Sequence, residues 1–187
     1  MELFARIVVG YHGCPENYAR DLLLGTQPVL QWQPSTNEWD WLGHGIYFWE
    51  YSPDRARRWA EQKFAGSGET PAVIGALIQL GRCFDLLNEG MTATLAKNYP
   101  QVVASYEQAG RSLPQNRGRD WKRRELDCVV IKDCLARLQA QGVQYHTVRG
   151  AFLEGAPAYA GAGFSREAHV QLAVRDPACI LGVFRPQ

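Results

Sequence analysis

Trp39-Asp40-Trp41-Leu42-Gly43-His44-Gly45-Ile46-Tyr47-Phe48-Trp49-Glu50, followed by Tyr51-Ser52-Pro53, is the stretch whose reading decides the fold. A pair of nearby glycines, a short aromatic run and a Ser-Pro helix start describe a turn that feeds a strand and then a helix. Gly43 and Gly45 allow close approach of the backbone to a ligand, or dihedral angles closed to other residues. Tyr47 alternates with Ile46 and Phe48, so it faces the opposite side of the pleat from both. One side of this strand is then core and the other a ligand face.

The rest of the chain sets bounds on that reading. A length of 187 residues gives one sizeable core and a single domain over 1–187. Apolar content of 46% and charged content of 21% are those of a globular protein, and disorder is not indicated. A net charge of +1 argues for no global attraction to nucleic acid, membrane or an acidic partner, so any such surface is local. Residues 1–11 carry Glu2 and Arg6 and an apolar run too short for a signal peptide or a membrane span. The expectation is a cytoplasmic protein without a membrane partner. Cys14, Cys83, Cys128, Cys134 and Cys179 are widely spaced, with no CxxC pair to suggest zinc or redox chemistry. They read as reduced thiols, and no metal site is expected.

Outward from the central stretch, residues 5–11 are β-branched and close on Gly10, a strand with His12 at its end. His12 there either displays its imidazole in a site or bonds a neighbouring carbonyl and holds the turn. Pro15 starts a helix over 16–24. Residues 25–40 lack a clean period and hold Pro28, Trp32, Pro34, Asn37 and Trp39, a loop long enough to be a lid over a site. The helix after Ser52-Pro53 has an apolar stripe at Ala56, Trp59, Ala60 and Phe64, leaving Arg55, Arg57 and Arg58 for a solvated basic face.

Residues 72–80 read as a buried strand in the middle of a sheet, extended past a bend at Gly81 by residues 83–87. Residues 92–109 have helical spacing, with Pro100 starting or kinking the second part. Arg117, Arg119, Lys122, Arg123 and Arg124 form the densest basic cluster, either a phosphate contact or a solvated loop and helix start. The composition favours the solvated reading. A helix over 126–141, a strand over 144–152, a loop over 153–163 carrying Glu154, and strands over 168–174 and 180–184 complete the chain. His169 and Gln171 share a face of their strand. Strands scattered among helices, without regular βα alternation, predict an α+β fold with a mixed or mostly antiparallel sheet.

The order of these motifs resembles the ADP-ribosyltransferases of the diphtheria-toxin and poly(ADP-ribose) polymerase type. In that group a strand ends in His-Gly, here Tyr11-His12-Gly13-Cys14. A later strand carries Gly-x-Gly-Ile-Tyr-Phe, here Gly43-His44-Gly45-Ile46-Tyr47-Phe48, ahead of a helix with a Ser and an Ala, here Ser52 and Ala56. The resemblance covers roughly the first third of the chain closely.

It implies a split β-sheet core with flanking helices, NAD bound as co-substrate between two small sheets, and transfer of ADP-ribose with release of nicotinamide. By similarity, His12 bonds a ribose hydroxyl, the Gly13 backbone holds the carboxamide and Tyr47 stacks on the nicotinamide ring. Asn37, Gly43, Gly45 and Glu50 join the NAD-binding set. The family's late-strand glutamate falls on Gln171, a departure, because a neutral amide can bond a ribose hydroxyl but cannot act as an anion or a base. Glu154 is the first substitute carboxylate, followed by Glu50 and Glu167. The acceptor implied is a protein or a nucleic acid, the latter through the basic cluster. The small size suits a bacterial or phage-linked toxin or effector. An NAD glycohydrolase and a catalytically silent NAD- or ADP-ribose-binding module are the competing readings.

Overall fold

The computed structural model describes residues 6–118 and 123–187. Strands β1 (Ile7–Pro15), β2 (Ile46–Glu50), β3 (Pro71–Gln79), β4 (Cys83–Asp85), β7 (Thr147–Phe152), β8 (His169–Val174) and β9 (Ile180–Phe184) form one mixed sheet, in the order β4-β7-β8-β2-β1-β3-β9. The β4–β7 pair is parallel and the other neighbours are antiparallel. Helices α1 (Glu16–Leu24), α2 (Pro53–Phe64), α3 (Glu89–Gln108) and α4 (Glu125–Ala140) flank it, and a short ribbon of β5 (Asn116–Arg117) and β6 (Arg123–Arg124) precedes α4. The chain is therefore a mixed α+β protein.

Alternation along the strands distributes the core between the faces of the sheet. Ile46, Phe48, Leu172 and Val174 pack with Val8, Ile74, Ile78 and Trp32 in one cluster, while Ala173 joins Leu42, Phe84, Val148 and Ile131 in another, with Tyr47 against it. A smaller cluster of Trp49, Ala56 and Val73 fixes α2 to the sheet, with Trp59 and Tyr11 against it. At ~25 cal/mol per Å² of apolar surface, each fully buried Phe or Ile here contributes roughly 1.5–3 kcal/mol.

Several expectations change. β1 does not stop before His12 but runs to Pro15, because β3 pairs with it along its whole length, from Ile7↔Gln79 to Pro15↔Pro71. Residues 83–85 do not prolong β3: the chain turns at Gly81, φ +57°, and β4 lies at the opposite edge of the sheet. Periodicity reports which face a residue occupies, not the order of strands. α3 begins earlier, with the Asn88 side chain accepting from Gly90 N, and continues through Pro100 as one element. Ser52 precedes α2 but makes no side-chain cap; its carbonyl accepts from Ala56 N.

The feature that positions the site is the seam between β1 and β2. These neighbours pair at Gly10↔Glu50 and Tyr11↔Trp49, and beyond Tyr11 the backbones part. Where β2 ends, Tyr51 takes a left-handed φ of +51°, uncommon for a residue with a side chain, and turns the chain into α2.

Candidate functional site

Where β1 and β2 part there is a cavity of about 520 Å³, within the size range of small-molecule sites. His12 from β1, Tyr47 from β2 and Gln171 from β8 all line it, as do Gly13, Asn37 and Gly45. The loop over 25–40 forms part of the wall through Trp32, Ser35, Asn37 and Asp40, and the Ser35↔Gly45 bridge fastens it there. The candidate lid thus borders the cleft. Trp41, Trp49 and Trp59 add apolar walls, and Arg55 and Lys63 of α2 bring positive charge.

His12 Nδ1 lies 2.7 Å from the carbonyl oxygen of Tyr47. A carbonyl only accepts, so Nδ1 carries the proton and Nε2 presents a lone pair. The imidazole meets Trp32 edge-on at 5.1 Å and Phe48 at 5.7 Å. Burial lowers its pKa to about 4, Lys63 adds to the shift, and the bond to Tyr47 opposes it. His12 is therefore a neutral acceptor near pH 7, suited to a hydroxyl donor. Both readings of this residue hold at once, since it bonds a carbonyl and lines a site.

Tyr47 is held at its far end. Its hydroxyl donates to Gly43 O at 2.7 Å and accepts from Leu42 N at 2.9 Å. Gly43 has φ +77°, which a side chain would strain, and its N–H donates to Asp40 O. With the hydroxyl engaged and its pKa raised by burial, Tyr47 offers the cavity an aromatic ring rather than an acid or base.

The other glycines serve packing. A Cβ on Gly13 would stand 2.6 Å from Ala56 O, and one on Gly45 would stand 3.0 Å from Ala173 Cβ and Val174 O. Gly13 lets α2 close on β1, and Gly45 lets the turn before β2 lie against β8.

Gln171 sits opposite Trp49 in β2 and Gly150 in β7, is 5% exposed, and leaves Oε1 without a hydrogen-bond partner. Among the described residues, the buried side-chain polar atoms without a partner are Asp40 Oδ2, Trp49 Nε1, Arg55 Nε, Gln171 Oε1 and His169 Nε2. All but His169 belong to residues that line this cleft. Buried polar groups are almost always satisfied by protein or ordered water, so their concentration around one cavity marks it as the candidate polar site.

The candidate carboxylates do not line the cleft. Glu50 is held by Arg149, with Nε to Oε2 at 2.6 Å, in a network with Asp85. Glu154 is buried and bonded to Arg55, whose guanidinium also reaches Glu167 at 3.3 Å. Arg55 is therefore not on a solvated face: distant loop carboxylates draw it in. Cys14 lines the cleft as a protonated thiol, burial raising its pKa to about 12. The described cysteines are free.

The basic cluster stands apart. Arg117 and Arg123 pair with Glu125 at 2.6 and 2.9 Å, and Arg124 with Asp127 at 3.5 Å while lying over the rings of Trp41 and Phe152. Arg119 and Lys122 lie outside the described residues. A second cavity of about 440 Å³, between α3, α4 and β7, has walls such as Leu95, Tyr99, Val130 and Phe152, and its Arg124 and Asp127 pair with each other.

Sequence reasoning missed Asp40, Arg55, Trp59 and Lys63. The signal for the α2 residues was present, because Arg55, Trp59 and Lys63 recur every fourth residue and so share a helix face. Among the described residues, no helix is long and apolar enough to cross a membrane. Comparison with protein-family models, curated proteins and solved structures gives no match. What the chain itself defines is a mixed α+β protein with an aromatic cleft, lined by residues that hold most of the unpaired buried polar atoms.

Proposed function

We propose that the chain is an NAD-dependent ADP-ribosyltransferase that binds NAD in the β1–β2 cleft and passes ADP-ribose to a macromolecular acceptor. The observation that carries this reading is the convergence of His12, Tyr47 and Gln171 on one cavity whose walls hold the unpartnered Gln171 Oε1 and Trp49 Nε1. We read the parting of β1 and β2, within one seven-stranded sheet, as the counterpart of the family's split sheet.

The residues fit the co-substrate. His12 Nε2 accepts from a ribose hydroxyl, and the Gln171 amide offers a second ribose contact. The Tyr47 ring and the Gly13 backbone grip nicotinamide without adding charge. Lys63 supplies the positive charge that a diphosphate requires, while Arg55 is balanced by Glu154 and Glu167. NAD supplies an activated glycosidic bond: its electron pair leaves with nicotinamide, the sugar carbon becomes electron-poor, and an acceptor nucleophile forms the new bond and loses its proton. Holding both ends of the bond in a water-poor cleft lowers this barrier.

A protein or nucleic-acid acceptor and a cytoplasmic toxin or effector role extend the same reading. The ion pairs of Arg117, Arg123 and Arg124 with Glu125 and Asp127 leave less local charge for phosphates than the sequence cluster implied. The second reading, a silent NAD- or ADP-ribose-binding module, draws on Gln171 and on the ion-paired Glu50 and Glu154.

One experiment separates these. The protein is incubated with NAD labelled on the adenylate side and with protein, RNA and DNA fractions, and nicotinamide release is followed. Label in a macromolecule supports transfer, free ADP-ribose supports the glycohydrolase, and binding without nicotinamide release supports the silent module. Absence of NAD binding overturns the cleft assignment.

A further inference from the structure

The chemistry proposed for the cleft calls for an anion near the electron-poor sugar, and Gln171 is neutral. Glu154, Glu50 and Glu167 are the substitutes considered for the family glutamate, yet Arg55 already pairs with Glu154 and Glu167 and Arg149 with Glu50. Asp40 differs from all of these. It lines the cleft with His12, Tyr47 and Gln171, is 7% exposed, and appears in no ion pair among the described residues.

Its oxygens are not equivalent. Oδ1 accepts from Ser35 Oγ at 3.0 Å and from Asn37 Nδ2 at 3.4 Å, which orients the carboxylate, while the buried Oδ2 has no partner. The backbone carbonyl of Asp40 accepts from Gly43 N at 2.9 Å, and the Tyr47 hydroxyl donates to Gly43 O, so Asp40 and the Tyr47 ring belong to one braced turn. A turn that orients a carboxylate and also anchors the Tyr47 hydroxyl, with one carboxylate oxygen left unpaired, is a preorganised electrostatic group.

We propose that Asp40 is the carboxylate of this site, its Oδ2 serving the ribose carbon on which positive charge develops as nicotinamide leaves NAD. The inference rests on the NAD reading of the cleft. The electron pair of the broken bond goes to nicotinamide and the acceptor closes the new bond, so Asp40 takes part in no covalent step. It supplies the fixed negative charge that Gln171 lacks. Burial raises its carboxyl above the ordinary range, and the bonds from Ser35 and Asn37 hold it down.

The proposal predicts a signature that a structural role does not produce. An uncompensated buried carboxylate destabilises the free fold, so Asp40→Asn, which keeps shape and can still accept at Oδ1, holds or raises thermal stability. The same variant lowers nicotinamide release at least about a hundredfold with the NAD dissociation constant within about threefold, the scale of a lost preorganised group. Ser35→Ala removes the bond to Oδ1 but no charge and stays within about tenfold of wild type.

Measurements on the full chain are nicotinamide release, NAD binding by calorimetry and thermal unfolding. Asp40→Asn with wild-type release overturns the proposal, and so does a Ser35→Ala loss as large as that of Asp40→Asn, which would make loop geometry the cause. If the wild type binds NAD and turns it over while Asp40→Asn stays active, Asp40 alone is wrong. If the wild type neither binds NAD nor releases nicotinamide, the reading of the cleft falls and this inference falls with it.

Discussion

Replacing Glu154 with Gln removes one charge from an ion pair almost out of contact with solvent: the side chains of Arg55 and Glu154 are 14% and 1% exposed. Breaking a buried pair from one side strands the other charge, at a typical cost of about 3–5 kcal/mol. Glu167, 3.3 Å from the Arg55 guanidinium and 36% exposed, compensates in part and points to the lower end of that range. At roughly 2–4 °C per kcal/mol for a domain of this size, Glu154→Gln lowers Tm by about 6–12 °C. Thermal and urea unfolding measure this, and the double variant with Arg55→Met recovers much of the loss, because the charge left without its partner, Glu167, is in contact with solvent. Activity follows the same route. Arg55 lines the cleft and Glu154 does not, so any fall in turnover on Glu154→Gln is matched by Arg55→Met. An unchanged Tm refutes the buried-pair argument. A hundredfold loss of turnover with Glu154→Gln but not with Arg55→Met shows instead that Glu154 acts on the ligand directly.

His12 gives a pH signature. The unfolded chain takes up its proton near 6.5 and the folded chain near about 4, so the unfolded state binds more protons between those values and stability falls as pH drops through them. The shift corresponds to about 3 kcal/mol, and urea titrations of wild type and His12→Gln across this range detect it as a pH slope that the variant lacks. Equal slopes contradict the burial of His12. Gly13→Ala places a methyl 2.6 Å from Ala56 O and lowers stability by about 1–3 kcal/mol, read as a shifted urea midpoint; an unchanged midpoint shows that α2 yields freely. Lys63→Gln removes a cation 4.5 Å from the Trp59 ring centre and weakens NAD binding about tenfold at low salt, with a shallower salt dependence than wild type. Salt-independent binding of the wild type refutes a diphosphate contact.

The sequence carried local information well and partnership poorly. Ile46–Glu50 and Pro53–Phe64 were legible because strand alternation, Pro at a helix start and an apolar stripe are short-range properties. His12, Tyr47 and Gln171 were legible as a set through the resemblance, and they line one cavity. Arg55 was misplaced because its partner, Glu154, lies 99 residues away and periodicity is blind to such a contact. Asp40 was overlooked for a related reason. A polar residue between tryptophans reads as a turn, and its open oxygen becomes visible once its Ser35 and Asn37 bonds on the other oxygen are known.

The parting of β1 and β2 explains how these residues come to share a cleft. β1 pairs with β3 along its whole length and β2 with β8 from Ile46↔Val174 to Trp49↔Gln171, whereas the register between β1 and β2 ends at Tyr11↔Trp49. Beyond that point the Tyr47 carbonyl meets a side chain rather than a backbone N–H, and His12 Nδ1 takes the role of the absent rung at 2.7 Å. The imidazole thus satisfies the Tyr47 carbonyl where the rung between the strands is missing. The same bond fixes the tautomer, which leaves Nε2 as an acceptor on a residue that lines the cleft. Fold and candidate chemistry thus depend on one hydrogen bond, and a residue there must span the gap, donate from one end and accept at the other, which neutral histidine does and an aliphatic or charged side chain does not.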